Sequence, residues 1–178
     1  MVRRFLMAGV LVTVASLSAS ADDKQQPLPA AASNAGFEKM KTLVGTWVKA
    51  DDDGKPTEDV VSVIKLTAGG SAIQETLFPG QPLEMVSMYT VDGTDLVMTH
   101  YCVIGNQPRM RATAKTVGDQ LKFEFDGGAN LDPQKDKHMH AATLKFSDED
   151  HMEIDGTGWE NGAPAKCSCG CLKLVRKK

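Results

Sequence analysis

The chain has 178 residues, 42% of them hydrophobic, with 20 Lys and Arg against 23 Asp and Glu for a net charge of −3. That length supports one domain with its own core. No basic patch interleaved with aromatics is present, which argues against nucleic acid as a partner.

The N-terminal stretch MVRRFLMAGVLVTVASLSASADD sets Arg3 and Arg4 before an apolar run from Phe5 to about Leu17, followed by Ala19-Ser20-Ala21. A positive start, an apolar centre and a small-x-small site are the parts of a secretory signal, so residues 1–21 read as a signal peptide cut after Ala21. The run falls short of the ~20 apolar residues that a bilayer span needs. Cleavage leaves 18 basic residues against 23 acidic ones, a net charge of −5, and no stable membrane span. The product is expected to be secreted or periplasmic. Residues 22–36, opening with the polar, proline-containing DDKQQPLPAAAS, read as a flexible linker, and residues 37–178 as the folded domain.

At the start of that domain, NAGFEKMKTLVG places Phe37, Met40, Leu43 and Val44 at helical spacing behind Asn34, a candidate N-cap. Beyond it no helical period is sustained. Alternating β-rich runs predict ten strands near 44–50, 58–66, 71–78, 84–91, 94–103, 109–117, 120–126, 138–146, 151–159 and 169–176. Suitable turn chemistry separates them, including Asp53-Gly54, Asp92-Gly93, Gly118-Asp119 and Asp126-Gly127-Gly128. An antiparallel meander of this size hides its edges by closing, so the predicted fold is an all-β, up-and-down barrel of about ten strands with a short N-terminal helix. The odd-numbered connectors are all longer than the even-numbered ones. One end of the barrel is therefore a loop-rich mouth suited to a small-molecule site, and the other a tight base.

The segment LVGTW, with Gly45-Thr46-Trp47 on the first strand, answered by LVRKK with Arg176 on the last, resembles the lipocalin-like (calycin) barrels. The resemblance implies that Trp47 packs its indole against Arg176 at the closed base, a cation–π contact. The stretch GGSAIQETLFPGQPLEMVSMYTVDGTDLVMTHYCVIGNQPRM is similar to a bacterial group of secreted lipocalin-like proteins of unknown function. Ten strands fit the nitrobindin and fatty-acid-binding branches better than the eight-stranded lipocalins. Haem-binding relatives use a late histidine. Here Cys169 and Cys171 occupy that region and no histidine follows His151, so zinc or copper stands ahead of haem as a cofactor.

The densest chemistry lies in THYCVIGNQPRMRA, residues 99–112, which holds His100, Tyr101, Cys102, Asn106, Gln107, Arg109 and Arg111. In the meander, His100, Cys102, Arg109, Arg111, His138, His140, Glu75 and Glu84 all gather at the mouth. Alternation puts His138 and His140 on the face of Ala142, Leu144 and Phe146, and Glu75 on the face of Ile73 and Leu77. An inward Glu75 needs a partner, and Arg109 and Arg111 are the expected ones. His100 is expected to face inward with Leu96, Met98 and Cys102.

His138-x-His140 sets two imidazoles ~7 Å apart on one face, which with His100 or Glu75 would make a three-ligand zinc or copper site. In CSCGC, Cys167 and Cys171 would lie ~13 Å apart on a strand, too far for a disulfide, and the cysteines are expected to point outward. An exported protein favours oxidation, so a disulfide involving one or two of them, with Cys102 as a candidate partner, stands beside a thiol metal site and free thiols. The methionines Met85, Met88, Met98, Met110, Met139 and Met152 read as adaptable core filler before a soft-metal set. His138 or His140 could activate Cys102, yet no oxyanion hole is legible and the chain lacks a G-x-S-x-G elbow.

The expected function is small-molecule binding in the mouth. Leu77, Leu144, Phe123 and Phe125 would line the cavity, and Glu75, His100, Arg109, Arg111, His138 and His140 would orient a polar or anionic group. The alternatives are a metal- or haem-dependent site on His100, His138 and His140, with catalysis open, and a filled barrel serving as a structural or interaction domain.

Overall fold

A computed structural model describes residues 34–112, 118–165 and 170–178. The signal segment 1–21, residues 22–33 of the linker, and Cys167 and Cys169 lie outside the described residues. Helix α1 (Ala35–Thr42) leads into β1 (Gly45–Ala50), β2 (Pro56–Thr67), β3 (Ala72–Leu77), β4 (Met85–Asp92), β5 (Asp95–Tyr101) and β6 (Gln107–Ala112). There follow β7 (Gln120–Ala129), β8 (His138–Phe146), β9 (His151–Glu160), the two-residue β10 (Ala163–Pro164) and β11 (Cys171–Arg176).

Strands β1 to β9 pair antiparallel in sequence order, β11 pairs with both β9 and β1, and the sheet closes on itself as a ten-stranded barrel. Strand β10 pairs only with β9, at Glu160 and Trp159, and occupies part of what the sequence predicts as one long connector. Closure removes the edges that an open meander would expose. Among the described residues no helix is long and apolar enough to cross a membrane.

Asn34 is the N-cap of α1, as the sequence suggests: its Oδ1 accepts from the Phe37 amide at 2.8 Å while its Nδ2 donates to Thr94 O at 2.6 Å. The side chain thus caps α1 and also ties it to the β4–β5 turn. Asp126-Gly127-Gly128 is not a turn but part of β7. A register shift opposite Pro108 accommodates it, and Gly128 (φ +156°) leaves no room for a Cβ, which would meet Gln107 O at 2.7 Å.

Helix α1 covers the base. Phe37, Met40 and Leu43 are buried with Trp47, Leu96, Leu121, Phe146 and Leu174 in one core. Each such side chain contributes ~1.5–3 kcal/mol by leaving water. The short connectors 93–94 and 147–150 share this end, and the longer ones, such as 78–84, 102–106 and 130–137, share the other.

At the base, Trp47 and Arg176 are direct cross-strand partners. The guanidinium lies 4.4 Å from the indole centroid and donates to the carbonyls of Thr42, Val44 and Glu149 at 2.9–3.1 Å. The indole Nε1 donates to Leu43 O at 2.9 Å. Arg176 therefore caps the last turn of α1 and closes the seam between the first and last barrel strands. Gly45 makes room for it: at φ +146° it adopts backbone that disfavours a side chain, and a Cβ there would sit 2.9 Å from Arg176 Nη1.

Charged donors to carbonyls contribute ~1.5–3 kcal/mol, so Arg176→Ala is expected to cost about 2–3 kcal/mol in urea unfolding. Arg176→Lys should recover less than half of that, because an ammonium cannot span three carbonyls while lying flat on the ring. A loss below 0.5 kcal/mol for the alanine variant, by order of magnitude a surface substitution, would show the seam closes without it.

Candidate functional site

The mouth half of the barrel encloses a cavity of about 200 Å³. Its wall is mainly apolar, with Leu77, Met85, Met98, Leu144, Ile154 and Leu172 among the lining side chains. Into it β3, β4 and β5 bring a row set by register, since Glu75 pairs with Ser87 and Ser87 with His100. Inward alternation adds Tyr89 beside Ser87, and Ser62 from β2. All five are almost fully buried, with His100 the most exposed at 3%.

Glu75 accepts from Ser62 Oγ at 2.7 Å and from Tyr89 OH at 2.6 Å, one donor on each carboxyl oxygen. No Lys, Arg or His pairs with it among the described residues. Burial pushes the Glu75 carboxyl above its ordinary pKa, and the two hydrogen bonds oppose this without cancelling it. The Tyr89 hydroxyl is pushed well up, by burial first and then by the neighbouring carboxylate. His100 Nδ1 lies 3.0 Å from Ser87 Oγ, and burial lowers the imidazole to about 4. His100 is thus neutral across the physiological range.

Arg109 and Arg111 are not in this site, which corrects the expected pairing with Glu75 and the expected anion contact. Pro108, Met110 and Ala112 are the buried residues of β6, so alternation turns both arginines to the outer face. There Arg111 bonds Asp92, Asp95 and Asp126 at 2.8–3.2 Å, and Arg109 bonds Asp92 at 3.0 Å. Arg111, its main partner, holds the Asp92 carboxyl below its usual range. The phase of β6 follows plain alternation, with Gln107, Arg109 and Arg111 on one face and Pro108, Met110 and Ala112 on the buried one, where Met110 is the cross-strand partner of Met98.

The histidine pair on β8 also differs from the expected geometry. A register shift between Met139 and Ala141 makes His140 a bulge residue, so Met139 lines the cavity with His138 while His140 does not. The His140 ring is stacked between Phe125 (4.8 Å) and Trp159 (4.3 Å). His138 Nδ1 lies 2.8 Å from Asp136 O, an obligate acceptor, so this nitrogen carries the hydrogen. Its Nε2 then accepts from His140 Nδ1–H at 3.0 Å. Burial first, and then the repulsion that a second imidazolium at His138 would add, lowers the His140 pKa. Among the described residues no three His, Cys, Asp or Glu side chains come together as a metal site, so the expected set of His100, His138 and His140 is not assembled.

Cys102 lines the cavity with its Sγ 4.0 Å from Met85 Sδ, and no hydrogen bond joins it to His138 or His140 among the described residues. Cys171 is exposed on the outer face near Glu153, and neither thiol is in a disulfide. Of the expected lining residues, Leu77 and Leu144 border the cavity, while Phe123 is in the core below and Phe125 packs on the histidine pair. Ser62, Ser87 and Tyr89 are the site residues that sequence reasoning missed. Their one signal was sharing a face with Ile64 and Val91 in strands already predicted.

No protein-family model matches the chain, and no curated protein sequence matches it. The closed antiparallel barrel of ten strands, preceded by one short helix, is consistent with a calycin or lipocalin-like fold.

The His100 shift has a sign that can be tested. Its folded pKa of about 4 lies below the ordinary 6.5, so its stabilising share is complete above pH 6.5 and lost as pH falls through 4. By pH 4 that share has fallen by about 3 kcal/mol. In urea unfolding at pH 7 and pH 4, His100→Gln should lose that much less stability than the wild type. Equal losses would mean that the imidazole is protonated in place.

Proposed function

We propose that this protein is an exported carrier or receptor that binds one compact, largely apolar small molecule in the mouth of its barrel. The observation that carries the reading is the cavity itself, an apolar void at the loop-rich end with a row of buried polar side chains on one wall. Such an arrangement lets the apolar wall supply affinity and a few polar groups fix orientation. The size bounds the ligand. A 150 Å³ apolar cavity holds a benzene ring, so about 200 Å³ takes a single substituted ring or a short branched chain.

The signal-like residues 1–21 support export, and the ten-strand count favours the nitrobindin and fatty-acid-binding branch over the eight-stranded lipocalins. With Arg109 and Arg111 spent on outer-face ion pairs, an anionic ligand has lost its expected partners.

Ala142 borders the cavity on β8. Replacing it with Leu should fill the void and weaken binding of a ring probe such as toluene at least tenfold in calorimetric titration, with the far-UV spectrum unchanged. Arg109→Ala and Arg111→Ala should leave that affinity within twofold. Toluene binding that survives Ala142→Leu would mean the cavity is not the site.

A further inference from the structure

Glu75 sits where burial favours the neutral acid and its ionised form has no counter-charge among the described residues. It is 2% exposed, it borders an apolar cavity, and no cation pairs with it among the described residues. Its two donors, Ser62 Oγ and Tyr89 OH, address one oxygen each, an arrangement that suits the ionised carboxylate as acceptor. A buried carboxylate without a counter-charge is costly, and two neutral hydroxyls offset only part of that cost. A positive charge delivered through the cavity would hold the carboxyl in its ionised form.

The other groups around the void are consistent with this. The titratable side chains that line it with Glu75 are Tyr89, His100, Cys102, Lys137 and His138. His100 is neutral and sits across Ser87 from Glu75, so its ring does not compete for the carboxylate and adds a polar contact. His138 is occupied by Asp136 O and His140. Lys137 is exposed at the mouth rather than beside Glu75.

We propose that the ligand is a small organic cation, a protonated amine on a compact apolar body, with its ammonium group on Glu75 and its body against Leu144, Met98 and Ile154. This rests on the cavity being a ligand site, and it names the class of molecule. The ammonium hydrogens have acceptors at the Glu75 oxygens and at Ser87, and the apolar body fills a volume suited to one ring. Binding consumes the ionised form of Glu75, so affinity should fall as pH drops through that carboxyl's titration and hold at higher pH until the amine itself deprotonates.

The experiment is calorimetric titration of the folded protein with benzylamine, benzyl alcohol and toluene, which share one ring and differ in charge and polarity. At pH 7 benzylamine should bind at least tenfold tighter than benzyl alcohol. Glu75→Gln, which keeps the shape and removes the charge, should bring the two within threefold while toluene binding is unchanged. Should that variant not fold, carbon NMR of the wild-type Glu75 carboxyl gives a second readout, in which benzylamine must lower its apparent pKa. Benzyl alcohol or toluene binding as well as benzylamine would overturn the amine assignment and leave the cavity reading intact. No binding by any of the three would overturn both.

Discussion

Arg176 lies flat on the indole of Trp47 where the first and last barrel strands meet, and its nitrogens reach carbonyls of the helix end and of the β8–β9 turn. A sheet of this kind is stable only when closed, and closure requires a strand near the chain's start to find one at its end. The clasp joins residues 129 positions apart through a stacked, multiply hydrogen-bonded cation, with Gly45 leaving it space. The helix that plugs the base is held by the same group. The opposite end is left free to carry a cavity.

That division of labour explains the mouth. The base is filled by Phe37, Met40, Leu43 and Trp47, whereas the mouth connector 78–84 contributes the half-buried Phe78 to the cavity wall. The void is bordered by methionines, leucines and glycines, and on one wall by a polar row in register across three strands. Polar groups so deep in a barrel weaken it unless they serve one another or something that enters. Here the row is partly self-satisfied, with hydroxyls on Glu75 and Ser87 against His100, and its one carboxyl has no Lys, Arg or His partner among the described residues.

The arginines and the histidines show how much of the site could be read in advance. Period-two alternation correctly implies that Glu75 and Leu77 share a face, because β3 is regular and its apolar partners are unambiguous. For β6 it also holds, since Gln107, Arg109 and Arg111 alternate with the buried Pro108, Met110 and Ala112; the expectation placed the arginines by their end of the strand and not by their face. For β8 it fails, because one extra residue in the strand reverses the phase at His140. A bulge is a property of two paired strands and has no mark in either alone.

What the sequence by itself determined is the class of fold and its polarity: short alternating runs, glycine turns and unequal connectors suffice for a meander that closes, and Gly45, Trp47 and Arg176 suffice for the base. Those are local patterns, or pairings forced by chain order. Only the tertiary structure decided which titratable groups meet. Ser62, Glu75, Tyr89, Ser87 and His100 are joined by cross-strand register, and Arg109 and Arg111 find Asp92, Asp95 and Asp126 on the outer face the same way. Register comes from the summed packing of neighbouring strands, so no single strand's sequence contains it.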